Sequence, residues 1–307
     1  MPVALVFPGQ GSQYVGMAQD LVATYPEARA VFEQADRTLG VSLSQLCFNG
    51  PENVLTDTIN AQPALLTHSI AALRVLQSLQ RDATPAFVAG HSLGEYSALV
   101  TADVMDFTDA LTLVRERGRV MKDAGEKMPG AMAAVIGLDD AALEAVCREA
   151  GAQIANYNSP GQIVISGAKD AMERAAALAK TRGARRVLPL AVSIAAHSRL
   201  MEPAAREFER AVVQTPMRPP KTPVISNVTA LPLISIAAIQ RELVAQLTSS
   251  VQWVKSVEYI VAQGATSFVE LGPKDVLAGL VRRITPNARA ISVGDVASVK
   301  AFVESQS

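Results

Sequence analysis

Five consecutive apolar residues, Val3 to Phe7, open the chain and stop at the turn-forming "PGQG". A second apolar run, "AFVAG", ends at Gly90 just ahead of "HSLGEYSALV". Short continuous apolar runs closed by glycine or proline read as buried strands. A helical pattern follows each run, which is the rhythm of an α/β layer fold with an at least partly parallel sheet. Two later runs, "TPVISNV" and "SFVELG", predict further strands. From Gly130 the period changes: "AMAAVIGL" reads as a strand and "DDAALEAVCREAG" as a helix. "AQIANYN" and "GQIVISG" then read as strands around a Ser-Pro turn, "AKDAMERAAALAKTRG" as a helix and "RRVLPLAV" as a strand. That βαββαβ order is ferredoxin-like. It predicts a small domain over residues 126–195, inserted into a larger α/β domain built from 1–125 and 196–307. The one proline-rich connection is "MRPPKTP".

A chain of 307 residues that is 49% hydrophobic buries a large core without disulfides. Cys47 and Cys147 fall in helical segments without metal-type spacing, so buried reduced thiols and a cytoplasmic protein are expected. "MPVALVFPGQG" has no basic leader, and no segment reaches the roughly 18 apolar residues of a membrane span, so neither export nor membrane insertion is expected. With 28 Lys+Arg against 29 Asp+Glu the net charge is -1, which gives nucleic acid no electrostatic footprint. No metal site is expected.

Gly90-His91-Ser92-Leu93-Gly94 has the form of a nucleophile elbow, where flanking glycines relieve crowding so that a strained strand-to-helix turn can hold a hydroxyl out. The same pattern also suits a serine that caps a helix. A nucleophilic serine needs a base, and the chain has three histidines. His91 adjoins Ser92 and should point away from it, though it is well placed to meet a ligand. His68, in "QPALLTHSIAALRVL", sits inside a helical pattern. His197, in "SIAAHSRLM", falls at the seam where the small domain ends and two domains can face each other across a cleft, which makes it the best placed base.

In "ALTLVRERGRVM" a helix advancing about 100° per residue gathers Ala110, Leu113, Val114, Val120 and Met121 on one arc. Arg117 falls in the middle of that arc, with Arg115, Glu116 and Arg119 opposite. A guanidinium stays charged, so on an apolar face it must meet an anion or snorkel out to water. Either a buried Asp or Glu pairs with it, or it is a bidentate clamp for a substrate carboxylate. The glycine-rich "FPGQGSQYVGM" is no dinucleotide loop, because position 14 is a tyrosine and no Gly-Lys-Ser/Thr follows. Its turn can still offer the backbone N–H groups that an acyl-transfer oxyanion requires.

With these stretches "QPALLT", "RGRVM", "GAMAAVIGL", "NYNSPGQIVISG", "HSRLM", "VQWVKSVEY" and "ELGPKDVLAGL" fall in order along nearly the whole chain. The sequence resembles the malonyl-CoA:acyl carrier protein transacylases and the acyltransferase domains of polyketide synthases. The resemblance implies an α/β-hydrolase-like domain carrying a ferredoxin-like one. It implies Ser92 as acylated nucleophile, His197 as base, Arg117 as ligand of the malonyl carboxylate with His91 close by, and the N–H groups of Gln10 and Leu93 as oxyanion hole. The backbone carbonyl of Gln246, in "AQLTSSVQW", would orient His197. Malonyl-CoA would be substrate, an acyl carrier protein the partner, and no cofactor would be bound to what is expected to be a monomer. Ala196 stands where polyketide acyltransferases usually have Phe or Ser, and Arg199 where many members have Pro. Ala196 leaves room beside the acyl chain, which admits methylmalonyl as an alternative extender. An acyl-carrier serine hydrolase and a non-catalytic acyl-binding subunit are the rival readings.

Overall fold

The computed structural model describes residues 2–79, 84–192 and 194–305. In chain order its strands are β1 (Val3–Phe7), β2 (Phe87–Gly90), β3 (Gly130–Ile136), β4 (Gln153–Ser159) and β5 (Gln162–Ala168). They continue as β6 (Arg186–Pro189), β7 (Val224–Ile225), β8 (Pro232–Leu233), β9 (Ser267–Leu271) and β10 (Arg289–Val293). Six of them form one sheet in the order β10-β9-β1-β2-β7-β8, parallel except for the β7/β8 pair. The other four form an antiparallel sheet in the order β4-β5-β3-β6, the ferredoxin-like arrangement expected from the βαββαβ pattern.

The continuous apolar runs are explained by burial of the large sheet on both faces. Ala4, Val6 and Ala89 pack on one side with Trp253, Val257 and Phe268, while Phe7 and Val88 pack on the other with Leu65, Tyr96 and Leu99. The small sheet has a core of its own, where Leu143, Val146 and Ala150 of one helix meet Met172, Ala175 and Ala179 of the next at helical spacing. The two sheets are tied by Val251, whose N–H donates to Ala155 O and whose carbonyl accepts from Tyr157 N.

One strand is shorter than expected. The strand read over "TPVISNV" is only Val224–Ile225, because the next residues turn: Ser226 N bonds Leu231 O, Ala230 is left-handed at φ 58, and Asn227 N leaves the sheet for a side-chain acceptor. The helix around "QPALLT" starts at Thr58 and runs through Pro63 to Leu79. Proline removes the N–H that would have reached Ile59 O, and that carbonyl instead accepts from Arg115 Nη1 at 3.0 Å. Both cysteines are buried free thiols, each pushed up to about 12, chiefly by burial. Among the described residues no helix is long and apolar enough to cross a membrane.

Candidate active site

Parallel strands β1 and β2 run in register, Phe7 opposite Gly90, so the chain leaves both at one level and His91 N still bonds Phe7 O at 3.0 Å. Gln10 follows β1 and Ser92 follows β2, at the carboxyl ends of adjacent central strands where open α/β sheets place their sites. Ser92 is left-handed at φ 52, a conformation that costs a non-glycine residue about 1–3 kcal/mol and must be held by its surroundings. The flanking glycines allow the turn: a Cβ on Gly90 would stand 1.9 Å from the carbonyl carbon of Gly94, and one on Gly94 would stand 2.0 Å from Phe7 O. Asn227 clamps the elbow from outside, accepting from Ser92 N at 2.7 Å through Oδ1 and donating through Nδ2 to Gly90 O at 2.7 Å.

Ser92 Oγ lies 2.9 Å from Nε2 of His197. The other ring nitrogen, Nδ1, is 2.8 Å from Gln246 O and 3.2 Å from Ser249 O. Carbonyl oxygens only accept, so Nδ1 carries the proton and Nε2 presents its lone pair to the hydroxyl. Burial and the neighbouring Arg117 charge push His197 down to about 3, so the imidazole is neutral and ready to accept a proton throughout the neutral range. No carboxylate orients it; a backbone carbonyl does.

Arg117 is 2% exposed, on the apolar arc of the helix Phe107–Lys127 as its spacing predicts. Among the described residues none of its hydrogen-bond partners is a carboxylate. Nη1 donates to Gln62 Oε1 at 2.8 Å, and Nη2 to Gln246 Oε1 at 2.8 Å and Ser92 Oγ at 3.2 Å. Among the described residues Nε has no protein partner. The guanidinium stacks near the Tyr96 ring, 5.6 Å from its centroid. A buried cation held by neutral dipoles beside the Ser92 hydroxyl has charge left to offer an anion.

Behind it lies Glu95, fully buried one helical turn after Ser92. Its oxygens accept from Asn227 N at 2.9 Å and from the Gln246 side-chain amide, which also donates to Ser92 O at 3.1 Å. Burial, with Glu242 nearby, raises Glu95 well above the usual carboxylate range. Gln246 therefore touches the histidine with its backbone and the arginine, Glu95 and the elbow with its side chain. Gln62, Glu95 and Asn227 were not singled out from the sequence. Glu95 could have been, by the same signal that exposed Arg117: a charged residue in the otherwise apolar helix "EYSALV".

Ser92, Leu93, His91, Gln10, Arg117 and His197 line one cleft of about 690 Å³. The N–H of Ser92 is taken by Asn227, whereas among the described residues those of Leu93 and Gln10 meet no protein acceptor. His91 points away from Ser92, with Nε2 2.8 Å from Asn158 Oδ1 and its ring against Trp253. His68 lies elsewhere, 0% exposed, with Nε2 2.7 Å from Gly294 O. Ala196 lines the cleft; Arg199 bonds Gln153 outside it.

A strained serine, a neutral histidine hydrogen-bonded to it and two open backbone N–H groups define a protein that forms and discharges a serine ester on an α/β scaffold. The chain belongs to the acyl transferase domain family, whose model matches residues 4–300. It is 47% identical over 305 residues to the malonyl CoA-acyl carrier protein transacylase of Escherichia coli K12, covering 98% of each chain. It is 44% identical to the enzyme of that name from Bacillus subtilis, covering 98% of this chain and 96% of the other. Among solved structures it superposes on a malonyl-transacylase in complex with a type II polyketide acyl carrier protein (TM-score 0.97, 43% identity, 99% and 100% covered). The acyl carrier protein S-malonyltransferase of Vibrio cholerae matches at TM-score 0.95 with 45% identity, covering 98% and 100%.

Proposed function

We propose that the protein transfers a malonyl group from malonyl-CoA, through an ester on Ser92, to the phosphopantetheine thiol of an acyl carrier protein. The observation that carries this reading is Arg117: a buried guanidinium without a carboxylate partner, 3.2 Å from the Ser92 hydroxyl. A thioester whose acyl group ends in a carboxylate supplies the missing anion. The names of the relatives support the same substrate and partner.

In the first half-reaction Ser92 Oγ attacks the thioester carbonyl as Nε2 of His197 takes its proton. The negative charge that develops on the carbonyl oxygen is met by the N–H groups of Leu93 and Gln10. The carbonyl of Gln246 holds the histidine in the right tautomer. Collapse of the tetrahedral adduct breaks the C–S bond, His197 returns the proton to sulfur, and CoA leaves. In the second half-reaction the carrier thiol loses its proton to His197 and attacks the ester carbonyl, and as the C–O bond breaks His197 returns that proton to Ser92 Oγ. Arg117 holds the malonyl carboxylate through both halves, and His91 forms part of the wall beside the acyl group.

On this reading residues 126–195 form the smaller domain and 1–125 with 196–307 the larger, in a cytoplasmic monomer without a bound cofactor. An apolar cluster confined to the small sheet and its two helices supports the division. Intact-mass spectrometry after mixing with malonyl-, methylmalonyl- or acetyl-CoA tests the function. A malonyl adduct that maps to Ser92 and moves to holo acyl carrier protein is expected. Rapid loss of that adduct to water in the presence of carrier would favour a hydrolase instead. A methylmalonyl adduct of equal yield would mean that the space beside Ala196 is used.

A further inference from the structure

The carboxylate clamp and the turn that carries the Gln10 N–H are joined by a chain of hydrogen bonds with a single direction. Arginine can only donate, so Gln62 must turn its Oε1 toward Arg117 Nη1, at 2.8 Å. Its Nε2 is then committed as a donor and points at Thr58 Oγ1, 3.0 Å away. The Thr58 hydroxyl, having accepted, donates onward to Gln10 Oε1 at 2.9 Å. Thr58 is 8% exposed and Gln62 0%, so neither finds a ready substitute in water. The approach is built in: next to Arg117 stands Gly118, where a Cβ would come 2.8 Å from Thr58 O and 2.8 Å from Ile59 Cα. Glycine there lets the start of the helix Thr58–Leu79 lie directly against the helix that bears the arginine.

We infer that Thr58 is a positioning residue, which fixes the amide of Gln62 and the side chain of Gln10 and thereby sets Arg117 and the oxyanion turn in register for an acyl group that carries a carboxylate. The two ends of a malonyl thioester are the carboxylate and the reacting carbonyl, and the Gln62–Thr58–Gln10 chain spans the protein groups that meet them. Without the hydroxyl the Gln62 amide, still turned oxygen-first to Arg117, keeps on its far side only the long contact of Nε2 with Met121 Sδ at 3.6 Å, so its plane can swing and carry the clamp with it. An acetyl thioester does not use the clamp and should feel only the loosening of Gln10. The inference rests on the malonyl-transfer reading.

Thr58→Val keeps the shape and removes the hydroxyl, whereas Thr58→Ser keeps the hydroxyl. Rates of Ser92 acylation are measured with malonyl-CoA and acetyl-CoA, alongside melting curves. The ratio of malonyl to acetyl rates should fall about tenfold in Thr58→Val, the worth of one net hydrogen bond to a charged system, and return to within about twofold of the parent in Thr58→Ser. Gln62→Met, which breaks the chain at its other member, should lower the ratio in the same direction and stands in if Thr58→Val does not fold. An unchanged ratio in the folded valine or methionine variant, or equal losses in Thr58→Val and Thr58→Ser, overturns the inference while leaving malonyl transfer intact. A parent protein that forms no malonyl ester would instead bring down both.

Discussion

Replacing Arg117 with alanine separates substrate recognition from structural support. The guanidinium makes three hydrogen bonds, all to neutral acceptors, and no carboxylate is among them. Its loss therefore orphans no buried ion of the kind whose isolation costs about 3–5 kcal/mol. It leaves Oε1 of Gln62 and of Gln246 without donors, at about 1–3 kcal/mol each if they stayed dry. Arg117 lines the open cleft, however, so water can follow into the vacated space and reduce that cost. Glu95 is raised well above the usual carboxylate range by burial and the nearby Glu242, which favours its protonated form over a bare charge. A melting temperature lowered by a few degrees is expected. The kinetic effect should be selective. A charge-assisted bidentate contact contributes about 1.5–3 kcal/mol, so malonyl acylation should fall about 10- to 150-fold while acetyl acylation changes little. Stopped reactions with each thioester, read by intact mass, give the two rates. Equal losses for malonyl and acetyl, in a variant destabilised by more than about 3 kcal/mol, would refute the clamp and restore a structural role for the charge.

Ser92→Ala should abolish the acyl-enzyme in a folded protein; a full malonyl mass shift in that variant would show that another residue is acylated. His197→Ala should slow acylation about 10²–10⁴-fold, as the loss of a general base does, whereas His68→Ala should lower the melting temperature and leave the acylation rate of the folded fraction near that of the parent. Because burial holds His197 at about 3, well below its usual 6.5, the base stays unprotonated as pH falls, and the acylation rate should be flat from about pH 8 to pH 5; a break near pH 6.5 in the rate profile would mean that the histidine is hydrated and titrates normally. The same depression has a stability consequence of definite sign: His68 and His197 bind protons in the unfolded chain below about 6.5 but resist them when folded, so they favour unfolding as pH drops from there toward 4. Substituting His68 with glutamine should remove part of that acid sensitivity in melting curves taken between those limits.

Period and punctuation made most of the fold legible in the sequence. The switch from continuous apolar runs to a βαββαβ pattern at Gly130 is visible in residue order because all the elements of the small sheet are consecutive in the chain. The position of β9 beside β1 is not, since nothing local in "SFVELG" names its partner. The candidate nucleophile stands out because its backbone strain demands glycines at fixed offsets. The candidate base stands out because few histidines compete. Arg117 stood out as a charge on an apolar arc. What stayed hidden is the second layer: Gln62, Asn227 and the side chain of Gln246 are amides, which carry no charge to betray them on a buried face. Their roles depend on directions of hydrogen bonding imposed from outside. Arg117, with only N–H groups to give, forces both glutamines to turn their oxygens inward. Each amide must then donate on its far side, to Thr58 in one case and to Glu95 and Ser92 O in the other. One unpaired cation thus orients two separate chains of dipoles, toward the oxyanion turn and toward the elbow. For the same reason a lysine at position 117, though equally charged, should not reproduce them: its single ammonium cannot address both amides in the plane of a fixed fork.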